Sequence, residues 1–287
     1  MDVGRLVELL SNYYWDVGYH HCRNLWTNQV DALKHFLSGY AFERQRAPAL
    51  YREAAPKAVE QYRTDLQRTG DWMKIRPCIC QCFISQCEEE DVVPSDSYNL
   101  FGRPSRKGKK SIIEIVSPIR TCGRSLAKWM RDLLDDGALT TASKELQKIR
   151  GIASKIAAFY LRDISTLAKL DLSSLGAKEL RLLQPIDIWT RRAATCLAQR
   201  DKLTESQCRD ELIKFEKSNS LRPGQANIAF WVLGARILKT EGRFSHVVNE
   251  IRCRRRSEML LNTFEAAEHE ARRAIPVLNS LRRVAAH

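Results

Sequence analysis

The chain has 287 residues, 44% of them hydrophobic, enough for a real core in one large domain or two small ones. Forty-seven Lys and Arg against 34 Asp and Glu leave a net charge of +13, the footprint of a protein that meets a polyanion, with nucleic acid as the leading partner. No run of about 18 apolar residues occurs, and "MDVGRLVELLSNYYWDVG" lacks the basic start and clean apolar stretch of a signal peptide, so the expectation is a cytoplasmic, nucleoid-associated protein without a membrane partner.

Apolar residues recur three and four positions apart and few segments alternate with period two, which predicts an all-α fold. The first helices are expected over "LVELLSNYYWDV", "QVDALKHFLSGYAFERQ" and "EAAPKAVEQYRTDLQ". His20 and His21 adjoin the first of these and read as packing or solvent-facing side chains rather than metal ligands. Nine cysteines, an odd number, suit free thiols in a reducing compartment. Four of them, Cys78, Cys80, Cys82 and Cys87, form the cluster "CICQCFISQC". Its spacing matches neither a zinc ribbon nor the usual iron–sulfur patterns, so the expectation is small thiols filling a buried helix face, with a metal site as the open alternative.

The clearest break is "EEEDVVPSDSYNLFGRPSRKGKKS", which mixes acidic residues, Pro, Gly and Ser before Arg103, Arg106, Lys107, Lys109 and Lys110. It reads as a loop whose basic side chains reach along a phosphate backbone or simply join two lobes. The lobes are expected at 1–100 with 210–287, and at 112–209.

Further helices are predicted over "RSLAKWMRDLLDDG", "TTASKELQKIR" and "KIAAFYLRDISTLAKL", the last two joined by the tight turn "GIAS". This is a helix-hairpin-helix pattern with Ile156, Phe159, Tyr160 and Ile164 on its apolar side. Gly151 lets the backbone approach a ligand, and the amides around Ala153 and Ser154 at the second helix's start suit a DNA phosphate. Next, Pro185 stops the segment before "IDIWTRRAATCLA", and Asp187 can cap the helix that follows. Helices over "ESQCRDELIKFEKS" and "NIAFWVLGARILKTEG" come next, and 245–287 reads as one or two long helices with a basic, solvated face.

A lysine opening one helix and an aspartate opening another, with a phosphate-binding turn between them, is the pairing a DNA glycosylase needs. The stretch "IRGIASKIAAFYLRD" followed by "QPIDIW" resembles the helix-hairpin-helix DNA glycosylase superfamily, whose signature is G-x-G-x-K and then Pro-x-Asp. The gap of 32 positions from Lys155 to Asp187 looks most like the archaeal 8-oxoguanine glycosylase/lyase branch. The resemblance implies an all-α, two-lobed fold that binds double-stranded DNA, flips out a damaged or modified base and excises it without a cofactor, as a monomer. It implies Lys155 as the nucleophile, with partial desolvation beside a helix start favouring its uncharged amine, and Asp187 as the carboxylate that stabilises a cationic sugar.

Two departures stand out. Ala153 occupies the second hairpin glycine, and no four-cysteine cluster follows near the C-terminus. For the base pocket the resemblance points to Trp231 and Asn227, four apart on one helix, and to Trp72 and Gln45 from the N-terminal part. Asn227 stands where that branch carries Asp; an amide both donates and accepts, which admits a modified pyrimidine beside 8-oxoguanine. A bulky modified cytosine, as in invading phage DNA, is therefore the alternative substrate. Trp189 is expected to pack behind the site and Arg191 to touch a phosphate. A protein that binds DNA without catalysis is the alternative of another class.

Overall fold

The computed structural model describes residues 3–18, 24–41, 47–69, 71–94, 101–102, 108–172 and 174–253, together with 262–263, 265–266 and 269–270. Among the described residues the chain is all-helical, with a lone bridge between Lys110 and Ile149 as the only extended pairing. The helices are α1 (Val3–Gly18), α2 (Gln29–Gly39), α3 (Pro48–Gln61), α4 (Arg63–Arg68), α5 (Arg76–Glu88), α6 (Ile112–Thr121), α7 (Leu126–Asp135), α8 (Leu139–Gln147) and α9 (Ser154–Leu167). They continue with α10 (Ala177–Leu180), α11 (Ile188–Ala198), α12 (Glu205–Ser218), α13 (Gln225–Val232) and α14 (Glu241–Arg252). No helix among the described residues is long and apolar enough to cross a membrane.

The chain forms two compact units, Met1–His21 with Ser174–His287, and Cys22–Ser173. The expected lobes, 1–100 with 210–287 and 112–209, had different limits. The difference comes from long-range packing. In the first unit, α1 places Val3, Leu6, Val7 and Leu10 on one stripe, and this stripe joins Ile228, Ala229 and Val232 of α13 in a shared core. Each such aliphatic side chain, fully removed from water, contributes about 1.5–3 kcal/mol, so α1 belongs with the C-terminal helices rather than with α2.

In the second unit Asn28 caps α2, its side chain accepting from the amides of Val30 and Asp31 at 2.9 and 3.2 Å. Gln29, buried in the first turn, donates to the carbonyl of Val116 and accepts from the amide of Leu126, which fastens α2 to α6 and α7. Ser111 and Glu114 form a capping box at the start of α6. The interior also holds an ion pair: Arg162 Nε donates to Asp163 at 2.7 Å, with both residues almost wholly buried, and Tyr40 Oη donates to the second carboxylate oxygen at 2.9 Å.

Two local expectations need correcting. The helix expected over 29–45 stops at Gly39, because Tyr40 leaves helical geometry and turns inward to Asp163. The cysteine-rich helix α5 buries Ile79, Phe83 and Cys87, whereas Cys78 is exposed and Cys80 and Cys82 are half-buried. The thiols therefore do not fill a core face as a set. All eight described cysteines are free, and burial pushes the Cys87 thiol up to about 11.

Candidate functional site

In the second unit, α8 and α9 pack on one another and are joined by residues 148–153. Gly151 sits at the top of this turn with φ +80°, a left-handed conformation that a side chain would resist. Ala153 is the N-cap of α9 and supplies no side-chain acceptor. The first amide to bond back inside α9 is that of Ala157, onto the carbonyl of Ala153 at 3.0 Å. The amides of Ser154, Lys155 and Ile156 have no carbonyl within the helix to bond, and Gly151, Ala153 and Ser154 are all exposed.

The basic loop is fastened to this turn. The amide of Lys110 donates to the carbonyl of Lys148 at 2.9 Å, and the amide of Arg150 returns a bond to Lys110 at 2.8 Å. The Lys109 ammonium donates to the carbonyl of Gln147. Lys109, Lys110, Lys148 and Arg150 thereby lie along the end of α8 and the turn that leads to Lys155, with the Lys148 ammonium paired to Glu145 at 2.5 Å; at the start of α9 the helix dipole favours an anion. Arg103, Arg106 and Lys107 lie outside the described residues.

Lys155 is the second residue of α9, one place later than the sequence reading put it. It is half-buried, with its ammonium 5.3 Å from the centre of the Phe159 ring one turn on. The Arg162 guanidinium lies 5.0 Å from the same ring, so Phe159 links Lys155 to the buried Arg162–Asp163–Tyr40 network.

Asp187 belongs to the first unit and caps α11. Its Oδ1 accepts from the amide and the hydroxyl of Thr190, each at 2.8 Å, and its own amide donates to the Thr190 hydroxyl oxygen at 2.8 Å. Oδ2 takes no hydrogen bond from a described residue. Capping thus fixes the carboxylate through one oxygen and leaves the other presented. Ile188 beside it is 60% exposed, Trp189 packs inward on Phe244 with ring centres 5.1 Å apart, and the exposed Arg191 donates to the carbonyl of Leu203 at 3.2 Å.

The structure brings Asn227 to the same place. Its side chain has no exposed surface, and its Nδ2 donates to the carbonyl of Pro185 at 2.8 Å, two residues before Asp187. In this position the amide braces the Asp187 loop. Trp231, one turn along α13, is half-buried, edge-on to Tyr14 at 5.8 Å and covered by the Arg236 guanidinium at 5.6 Å. In the second unit Trp72 is wholly buried, its Nε1 donating to the carbonyl of Leu66 at 2.8 Å and Arg120 lying over its ring. It lines a small cleft of about 220 Å³ with Asn28, Gln67 and Arg124. Gln45, His20 and His21 lie outside the described residues.

One buried acid escaped sequence reading. Glu216, 3% exposed near the end of α12, accepts from the amide of Ala226 at 3.1 Å and from the side chain of Gln184 at 2.8 Å. Burial pushes its carboxyl up to about 8, although the Gly224, Ala226 and Asn227 amides and the Gln184 side chain all pull it down. Among the described residues no three or more Cys, His, Asp or Glu gather as a metal site requires. Comparison with protein-family models, with curated proteins and with solved structures gave no match.

Proposed function

We propose that the protein is a helix-hairpin-helix DNA glycosylase with abasic-site lyase activity, acting as a monomer on double-stranded DNA in the nucleoid. The observation that carries this reading is the α8–α9 turn, where a left-handed Gly151, an uncapped helix start and a fastened basic loop converge on the turn that delivers Lys155. Backbone amides and lysines contact phosphate without reading sequence, so this surface grips a duplex at any position.

The chemistry follows from Lys155 and Asp187. Lys155, once it has lost a proton, attacks C1′ of an extruded nucleotide; the C1′–N bond breaks and the base leaves with its bonding electron pair and takes up a proton. The amine–sugar adduct opens to a Schiff base, whose acidified C2′ proton is lost as the 3′ phosphate departs by β-elimination. For Asp187, whose Oδ1 is held by Thr190, the role that the resemblance implies is to stabilise the positive charge that develops on the sugar. No cofactor enters the sequence. The substrate proposed first is an oxidised base such as 8-oxoguanine; a bulky modified cytosine of phage DNA is the alternative.

A non-enzymatic DNA-binding protein is the second reading, favoured by the seat of the Lys155 ammonium against Phe159. The two part in one experiment, in which borohydride is added to the protein with a panel of duplexes, each carrying one lesion or natural modification. A glycosylase/lyase yields a covalent complex on its preferred duplex that Lys155→Gln abolishes while duplex affinity stays nearly constant. No trapping on any duplex, with Lys155→Gln weakening affinity and its salt slope, overturns the catalytic reading.

A further inference from the structure

We propose that Glu216 is a positioning residue for Asp187, acting through Gln184 and the start of α13. The inference rests on the reading of Asp187 as the sugar-stabilising carboxylate.

Asp187 follows Gln184, Pro185 and Ile186, a segment between the turn Arg181–Leu183 and α11 that has no helix of its own. Two buried side-chain hydrogen bonds hold it, and Arg209 adds a part-buried third. Gln184 is wholly buried and its Nε2 donates to Glu216 Oε2; its carbonyl accepts from Arg209 Nε at 3.1 Å. Pro185 cannot donate, so its carbonyl is its only backbone handle; Asn227 takes it at 2.8 Å, with the Thr190 hydroxyl a more distant second partner at 3.4 Å. Glu216 joins the two holds. While Oε2 grips Gln184, Oε1 accepts from the amide of Ala226, and the amides of Gly224 and Asn227 also face the carboxyl. The first turn of α13, which carries Asn227, is therefore fixed to the same side chain as Gln184. A solvated carboxylate could cap α13 without burial; full burial with four donors turned on the carboxyl is what a fixed cross-brace needs.

Gln184 Oε1 is buried and takes no hydrogen bond. A turned Gln184 amide can therefore accept from a donor at position 216, so Glu216→Gln keeps the brace while Glu216→Ala removes it. Asn227→Ala cuts the other hold without touching Glu216.

The test combines amide hydrogen exchange with single-turnover borohydride trapping on full-length protein and these three variants. Glu216→Ala and Asn227→Ala are each expected to raise exchange at Thr190 and Arg191 at least tenfold and to slow trapping at least tenfold at unchanged duplex affinity, and Glu216→Gln to stay within about threefold of the parent. Should Glu216→Ala fail to fold, Asn227→Ala and Glu216→Gln carry the comparison. Unchanged exchange at Thr190 and Arg191 in Asn227→Ala overturns the positioning role, as does Glu216→Gln behaving no better than Glu216→Ala. If the parent traps nothing while exchange responds as expected, the brace stands and the glycosylase reading fails; if the parent traps and the variants trap equally well, the brace fails alone.

Discussion

The indole of Trp189 lies against the bare backbone of Gly234, so close that a β-carbon built there would stand 2.3 Å from Trp189 Cδ2 and 2.4 Å from Cε3. Gly234 belongs to the π-helical turn Leu233–Leu238, and Trp189 to the first turn of α11, two residues after Asp187. This contact seats the helix that carries the candidate carboxylate. Gly234→Ala should destabilise the protein by about 2–3 kcal/mol, the usual cost of overpacking a tight interior. Chemical denaturation measures it, and adding Trp189→Leu should recover part of the loss; no recovery would show that the clash lies elsewhere.

Asp187 serves both as cap and as candidate catalyst, and two substitutions separate these roles. Asn is as good an N-cap as Asp, so Asp187→Asn should leave stability within about 0.5 kcal/mol, whereas Asp187→Ala should cost about 1 kcal/mol. Both should slow borohydride trapping at least a hundredfold, because neither places a negative charge beside the sugar. Trapping that survives Asp187→Asn would assign the residue to capping alone.

Glu216 predicts a pH dependence whose sign can be worked out. Its carboxyl titrates near 4.5 when solvated and near 8 when buried. Between those values the folded chain holds a proton the unfolded chain has released, so stability falls as pH rises, by at most about 1.4 kcal/mol per unit, and levels off above about 8. Glu216→Gln removes that decline. Denaturant midpoints across this window compare the two proteins, and equal slopes would sink the assignment to Glu216.

The buried pair of Arg162 and Asp163 should be costly to split. Asp163→Ala leaves a guanidinium that is 1% exposed without its carboxylate, which costs about 3–5 kcal/mol. Tyr40→Phe removes one bond to the charged acceptor and should cost about 1.5–3 kcal/mol. Urea titrations read both values.

The basic turn predicts a salt effect independent of catalysis. Lys110→Ala should weaken duplex binding equally for all sequences and lower the slope of log affinity against log salt by about 1. A loss confined to modified duplexes would place Lys110 in base recognition instead.

Much of the helical order was legible because it is written locally. Gly151 marks the turn before α9 through chemistry confined to a few residues; the capping boxes of Thr204 with Gln207 and of Ser111 with Glu114 are equally local, although no helix was expected over α6. Asp187 was likewise readable as a cap. What could not be read depends on partners far along the chain. "ESQCRDELIKFEKS" carries so many charges that nothing in it singles out Glu216, and only the arrival of α13 buries it. Arg162 and Asp163 sit inside an apolar run, a usable signal of a buried pair that was passed over, while Tyr40, their third member, is 123 positions away from Asp163. Asn227 looked like a pocket residue because its helix face was known but the partner of that face, Pro185, was not.

The first unit is assembled from both ends of the chain, and this has a consequence during synthesis. Helix α1 leaves the ribosome well before α13, which covers its apolar stripe and follows some 200 residues later. At ordinary elongation rates that is a delay of roughly 10–40 s, during which the contiguous segment between them has time to collapse on its own. The apolar stripe of nascent α1 must spend that interval either sheltered by a chaperone or exposed, which makes α1 the place where substitutions should harm yield in cells more than they harm the purified protein.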